Sequence, residues 1–242
     1  MQKLLDFLYP PRCQLCGSTD TSHQSVYLCA PCAGDIPDNP HACSLCAIPL
    51  STTDLKTDHQ SKICGSCTKT PPVYDASWSP FIYAQPLEWM IQELKFNAKL
   101  NFASLLSNLM TKHLPSDLLK AKKPDVIIPM PLHSRRLKQR GFNQSHILIK
   151  PIAKHLDLPI DINSSQRIRN TEHQTGKSAR QRAQNIKNAF TFNNQQAYQH
   201  AVIFDDVVTT GSSVTELTKT LKRAGVNRVD VWCLARAEKR IK

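Results

Sequence analysis

Eight of the nine cysteines in this 242-residue chain form four Cys-x-x-Cys pairs: Cys13/Cys16, Cys29/Cys32, Cys43/Cys46 and Cys64/Cys67. A two-residue gap lets both sulfurs of a pair turn inward on one tight knuckle, so each pair supplies half of a tetrahedral zinc site. Four thiolates close such a site and leave no position for water, which makes the metal structural. The pattern also repeats. Cys13-Gln-Leu-Cys16-Gly17 followed by Leu28-Cys29-Ala-Pro-Cys32 parallels Cys43-Ser-Leu-Cys46-Ala47 followed by Ile63-Cys64-Gly-Ser-Cys67. These residues predict two tandem zinc ribbons over residues 1–72, one zinc ion in each. Sequential pairing suits the repeat, while spacing alone also permits a cross-braced arrangement of first pair with third and second with fourth. A disulfide framework is disfavoured, because no stretch here reads as a secretory signal and a reducing cytosol favours metal. His23, His41 and His59 are assigned to loops, since sulfurs already fill both sites. Cys233, alone in an apolar stretch, reads as a small buried hydrophobe.

Charge divides the chain at the same place. Residues 1–70 carry a net charge of −1 and residues 71–242 one of +13. A polyanionic ligand is therefore expected for the second part: a phosphorylated substrate, a nucleic acid, or both. Leu4, Leu5 and Leu8 suit one face of a short docking helix. No apolar run approaches the length of a membrane span, so the protein is expected to be soluble and cytoplasmic, without membrane insertion.

Thr70-Pro71-Pro72 marks the change to regular periodic segments, and residues 73–242 form the second expected domain. A strand pair is expected around Trp78–Tyr83, then helices over Leu87–Lys95 and Asn101–His113, where Phe102, Leu105, Leu106, Leu109 and Met110 recur at helical spacing. Val126–Pro129 and Ala201–Phe204 read as short buried strands, with helices over Gln144–Leu156 and Ser213–Ala224. Gly225 suits the position after a helix end, and Val229–Ala235 is the last strand. Strands alternating with helices predict an α/β fold with a parallel sheet covered on both faces.

The stretch Ala201-Val-Ile-Phe-Asp205-Asp206-Val-Val-Thr209-Thr210-Gly211-Ser212-Ser213 carries the chemistry. Two adjacent acids emerge at the carboxyl end of a buried strand, where ligands bind in open α/β sheets. A Thr/Gly/Ser turn then runs into a helix amino terminus. Gly211 permits close backbone approach, and exposed amides together with the helix dipole favour an anion. Thr209, Thr210, Ser212 and Ser213 add hydroxyl donors. The loop suits a phosphate monoester, and Asp205 and Asp206 suit the hydroxyls of its sugar.

This stretch resembles, at every position, the thirteen-residue phosphoribosyl pyrophosphate motif of type I phosphoribosyltransferases. The resemblance implies that Asp205 and Asp206 contact the ribose hydroxyls, often through magnesium, while Thr209–Ser213 holds the 5-phosphate. Two further stretches narrow it. Pro129-Met-Pro131 leads to Arg135, Arg136, Lys138 and Arg140, read as a cationic loop. Arg167-Ile-Arg169-Asn-Thr171-Glu-His-Gln174 leads to Arg180 and Arg182. With the cysteine pairs and Leu94-Lys95-Phe96, these resemble the ComF family, a double zinc ribbon fused to a type I phosphoribosyltransferase domain, over essentially the whole chain. The resemblance implies that the stretch with Arg135 and Arg140 faces the pyrophosphate and that Arg169–Arg182 is a mobile flap, making Arg169, Thr171, Gln174 and Arg182 candidate catalytic residues. It also implies a place in DNA uptake or use, with single-stranded DNA and uptake-machinery proteins as candidate partners. Two functions stay open: a phosphoribosyltransferase acting with magnesium, and a non-catalytic binder of single-stranded DNA that reuses the phosphoribosyl site.

Overall fold

The computed structural model describes residues 12–20, 27–50, 62–115, 123–170 and 184–238. The proposed docking helix at Leu4, Leu5 and Leu8 lies outside them, as do His23 and His59.

Both ribbons are built alike. In each, the first pair sits on a turn closed by a backbone bond, Gly17 N to Cys13 O at 2.9 Å and Ala47 N to Cys43 O at 2.7 Å. The turn needs a left-handed residue after the second cysteine, filled by Gly17 at φ +77° and by Ala47 at φ +56°. The Ala carries a Cβ in that conformation, at a cost of roughly 1–2 kcal/mol. The second pair of each ribbon opens a one-turn helix: Cys29 caps α1 (Ala30–Gly34) and Cys64 caps α2 (Gly65–Lys69).

The main sheet is parallel throughout. β1 (Ala76–Trp78) and β2 (Phe81–Ile82) both run beside β7 (Arg228–Arg236), which pairs with β6 (His200–Val208), which pairs with β3 (Val126–Pro129). The strand pair expected around Trp78–Tyr83 is thus two short segments that each pair with β7 and not with each other. Between them the chain holds α3 (Leu87–Asn97), α4 (Asn101–Lys112), α5 (Ser134–Arg140), α6 (Gln144–His155) and α7 (Ser212–Arg223). An antiparallel hairpin of β4 (Ser165–Arg167) and β5 (Phe190–Phe192) stands apart from the sheet.

Period-two alternation separates the two faces. Ile127, Val202, Phe204, Trp232 and Leu234 pack with α3, α4 and α6. Val126, Ile128, Ala201, Ile203, Val229, Val231 and Cys233 pack with Val214, Leu217 and Leu221 of α7. Both faces are covered, which is why β3, β6 and β7 read as unbroken apolar runs. Cys233 is fully buried. The first ribbon joins this core: Cys13, Leu28, Cys29 and Ile36 belong to the same apolar cluster as α3, α4 and α6. The second ribbon keeps a small cluster of its own, of Cys43, Cys46, Ile48, Cys64 and Cys67. It is tied to the sheet by Ser77 N to Ser44 O at 3.1 Å. Among the described residues, no helix is long and apolar enough to cross a membrane.

Candidate functional site

The eight cysteines gather sequentially, Cys13, Cys16, Cys29 and Cys32 in one cluster and Cys43, Cys46, Cys64 and Cys67 in the other, with all sulfurs of a cluster within 4.8 Å of one another. Zinc–sulfur bonds of about 2.3 Å at tetrahedral angles place sulfurs about 3.8 Å apart. The contacts Cys16 Sγ to Cys29 Sγ at 3.6 Å and Cys46 Sγ to Cys64 Sγ at 3.7 Å fit that edge and are far longer than a disulfide. The donor sets therefore fit two structural zinc ions, and the cross-braced alternative is excluded. The sites differ in exposure. Cys16 is exposed and Cys32 half-buried, whereas every sulfur residue of the second site is buried. His41 lies exposed and joins neither cluster.

At the carboxyl end of the sheet, β6 runs on through Asp205 and Asp206 to Val208, longer than the apolar run alone predicts. The acids extend the strand because their neighbours in β7, Cys233 to Arg236, continue to pair with it. Asp206 is almost wholly buried and forms an ion pair with Lys95 of α3. It also accepts a hydrogen bond from Gln144 Nε2 at 3.3 Å. Asp205 Oδ1 accepts from Ser145 Oγ at 3.2 Å and from the Asp206 amide at 2.9 Å. Gln144 and Ser145 are placed here by a local device. The Asn143 side chain caps α6, accepting from Ser145 N at 3.0 Å, and donates to Met130 O at 3.1 Å. The first turn of α6 is thereby fixed against the end of β3, with its positive dipole end toward the acids.

The two acids ionise differently. Burial and the adjacent Asp206 charge push the Asp205 carboxyl well above the usual carboxylate range. Burial also opposes the Asp206 charge, but Lys95 outweighs it and holds that carboxyl below its ordinary value. Asp206 is thus the carboxylate that Lys95 matches, while Asp205 is the acid of the pair that holds its proton more firmly.

After β6 the chain turns through Thr209, Thr210 and Gly211 into α7, which starts at Ser212, one residue earlier than expected. Gly211 has φ +77°, and no side chain caps the helix. Thr215 N bonds Gly211 O at 2.9 Å, so the amides of Ser212, Ser213 and Val214 have no acceptor within the helix. Thr209 and Thr210 are exposed, and Thr210 Oγ1 meets Ser212 Oγ at 2.9 Å. Backbone donors, hydroxyls and a helix dipole converge here as an anion cradle beside the acids.

The cations expected in a loop after β3 lie instead on a helix, α5, which His133 caps by accepting from Arg135 N at 3.3 Å. The helix separates them. Arg140 turns inward to bond Gln144 Oε1 and lies over the Phe96 ring at 5.8 Å, whereas Arg135 and Lys138 are exposed. Arg167, on β4, lies over Phe190 at 5.7 Å and is lowered to about 10 by burial and by Arg136. Arg169 donates to Lys187 O at 2.6 Å, across the base of the hairpin. Thr171, Gln174 and Arg182 lie outside the described residues.

Three functional neighbours escaped motif reading. Gln144 and Ser145 appeared only as the start of a helix, although the Asn-Gln-Ser capping sequence marks where that start falls. Arg236 gave no signal, yet it is buried at the end of β7. Its Nε donates to Cys46 O at 2.8 Å and its Nη1 to Val208 O at 2.8 Å and to Thr209 O.

Residues 4–68 match the family model of the double zinc ribbon domain. The chain is 36% identical over 234 residues to the DNA utilization protein YhgH of Salmonella typhimurium, covering 94% of this chain and 97% of that protein. It is 34% identical over 215 residues to competence protein F of Haemophilus influenzae, covering 87% and 90%. The chain belongs to the ComF family. A more distant member, competence protein ComFC of Bacillus subtilis, is 25% identical over 190 residues, 76% of this chain and 73% of that protein. Within this family the present chain combines the double ribbon with a parallel α/β domain of the kind expected for a phosphoribosyltransferase.

Proposed function

We propose that this ComF protein binds a 5-phosphorylated ribose ligand of the phosphoribosyl pyrophosphate type and does so in DNA uptake or utilisation, in keeping with relatives named for DNA utilization and for competence. The observation that carries the reading is the pairing, on one strand end, of two adjacent acids and an uncapped helix start. Asp205 suits the sugar hydroxyls, and the Thr209–Ser213 amides and hydroxyls suit the 5-phosphate. Lys95 fixes Asp206 so that the site carries one compensated and one available carboxyl. Magnesium fits this donor set: a hard cation takes carboxylate oxygen together with ligand phosphates and water. Asp205 would hold it, and it would neutralise diphosphate charge. Arg140, already at the acids, is the α5 cation nearest to that role, while the exposed Arg135 reaches outward.

Calorimetry with ribose 5-phosphate and with magnesium and phosphoribosyl pyrophosphate tests the reading. Wild-type protein should bind both, and the change Asp205→Asn, which leaves the Lys95–Asp206 pair intact, should weaken binding of the sugar phosphate roughly tenfold or more while the fold survives. Unchanged binding in that variant overturns the site. Incubation with a panel of bases then separates the roles: pyrophosphate release identifies a pentosyltransferase, and binding without release identifies a ligand-sensing site.

A second reading has its own observation. Phe96 is 74% exposed beside Arg140, with exposed Arg135 and Lys138 on α5, an arrangement suited to stacking a base and neutralising a strand. Under this reading the protein binds single-stranded DNA, with affinity falling by roughly 0.7 log units per phosphate contact for each tenfold rise in salt. Replacing Arg135, Arg136, Lys138 and Arg140 with Ala should flatten that slope. The absence of any complex in low-salt gel shifts with zinc-loaded protein would reject it. DNA-uptake proteins are the partner class that the family names suggest.

A further inference from the structure

We propose that Arg236 is the positioning residue of the phosphate loop, and that through it the second tetracysteine knuckle governs how well the loop holds an anion. The proposal rests on reading Thr209–Ser213 as a phosphate site, and it begins with one buried side chain. Arg236 is only 6% exposed, and its guanidinium spans two parts of the chain far apart in sequence. Nε donates to Cys46 O at 2.8 Å, while Nη1 donates to Val208 O at 2.8 Å, to Ala237 O at 3.0 Å and to Thr209 O.

The consequence for the loop follows from peptide geometry. In a trans peptide the C=O and the following N–H point in opposite directions. Holding the carbonyls of Val208 and Thr209 inward therefore aims the amides of Thr209 and Thr210 away from Arg236, toward the exposed side of the loop. Anion cradles depend on that orientation. Ala237 N reinforces it by bonding Val208 O at 3.0 Å.

The consequence for the ribbon follows from charge. A buried guanidinium is costly unless a negative group compensates it. Among the described residues, no carboxylate forms an ion pair with Arg236. Four thiolates around a zinc(II) ion carry a net double negative charge, and the Cys46 carbonyl that Arg236 grips belongs to that knuckle. An intact second site thus holds Arg236 in place, and Arg236 in turn holds the loop. The first ribbon has no such bond to the loop among those described, so the coupling belongs to the second site.

Two variants test this, Arg236→Met and Arg236→Lys. Lysine keeps the charge but cannot bridge both sets of carbonyls as the planar fork does. Hydrogen exchange should rise in the 205–214 peptide of both variants while β3 and α6 keep wild-type protection. Chelator-driven zinc release should quicken roughly tenfold for the buried second site, with the first site unaffected. Affinity for magnesium and phosphoribosyl pyrophosphate should fall roughly ten- to a hundredfold. In wild-type protein the same ligand should raise the equilibrium zinc affinity of the second site against a competing chelator, since coupling between two sites is reciprocal in binding free energy. Arg236→Lys guards against unfolding: a wild-type melting midpoint with a deprotected loop supports the positioning role, whereas loop exchange and zinc release both equal to wild type overturn it. If the wild-type protein binds no sugar phosphate, the ligand reading fails. The exchange and release measurements still decide the link from Arg236 to the knuckle.

Discussion

Lys95→Met isolates the electrostatic centre of the site. In the native protein the Lys95 side chain is 20% exposed and the Asp206 carboxylate 4% exposed. Removing the ammonium leaves a buried anion held only by hydrogen bonds from uncharged donors, Gln144 among them, beside a second acid. Breaking a buried pair on one side costs about 3–5 kcal/mol. For a unit of this size each kcal/mol lowers the melting temperature by roughly 2–4 °C, so a fall of about 6–20 °C is expected near neutral pH. The pH dependence identifies the cause. Lys95 holds the wild-type Asp206 carboxyl below its ordinary value, so its contribution is present above the unfolded value and is lost as pH falls through the folded one. Without Lys95 the folded carboxyl instead rises above the unfolded value, and the penalty is relieved as it protonates. The gap between variant and wild type should therefore be wide at pH 7 and narrow toward pH 4. Adding Asp206→Asn to Lys95→Met should recover most of the loss at pH 7. Thermal melts followed by circular dichroism across pH, on both variants and wild type, provide the measurement. A pH-independent gap, or no recovery in the double variant, would refute the ion pair as the element that holds the site together.

The metal analysis should return two zinc ions per chain, and chelation should empty the first site before the second, because Cys16 is exposed while all four residues of the second site are buried. Equal release rates would contradict that order. Gly211→Val places a Cβ at φ +77°, with the nearest side-chain atom, Val214 Cγ2, at 3.9 Å. Strain rather than collision should cost roughly 1–2 kcal/mol, and calorimetry should show loss of sugar-phosphate binding; a variant that binds normally would remove the loop from the site. Binding of magnesium and phosphoribosyl pyrophosphate should tighten as pH rises through the elevated Asp205 range and should release a proton that Asp205→Asn does not release. Calorimetry in buffers of different ionisation heat measures that release, and identical proton counts in the two proteins would exclude Asp205 as its source.

The local chemistry of this protein was legible before any fold was known. A Cys-x-x-Cys knuckle, a left-handed residue after it and a helix opened by the next pair are events within a few residues, so spacing alone determined the eight ligands, though not how the four pairs combine. The strand, acids, turn and helix from Ala201 to Ser213 are equally local, because burial, a positive φ and a helix start each act within a turn or two of chain. Tertiary packing decided the rest. Sequential and cross-braced pairing satisfy the same spacing, and only the folded chain, which gathers Cys13, Cys16, Cys29 and Cys32 apart from Cys43, Cys46, Cys64 and Cys67, chose between them. Arg135 and Arg140 look alike in sequence, yet one turn pattern on α5 sends one to solvent and the other to the acids. The partners of Asp205 and Asp206 come from 60 and 62 residues away, and the Arg236 bond to Cys46 spans 190. A lone Lys, Gln, Ser or Arg carries no sign of such a contact. Its role exists only once the parallel strands, each returned through a helix, bring their carboxyl ends together at one edge of the sheet.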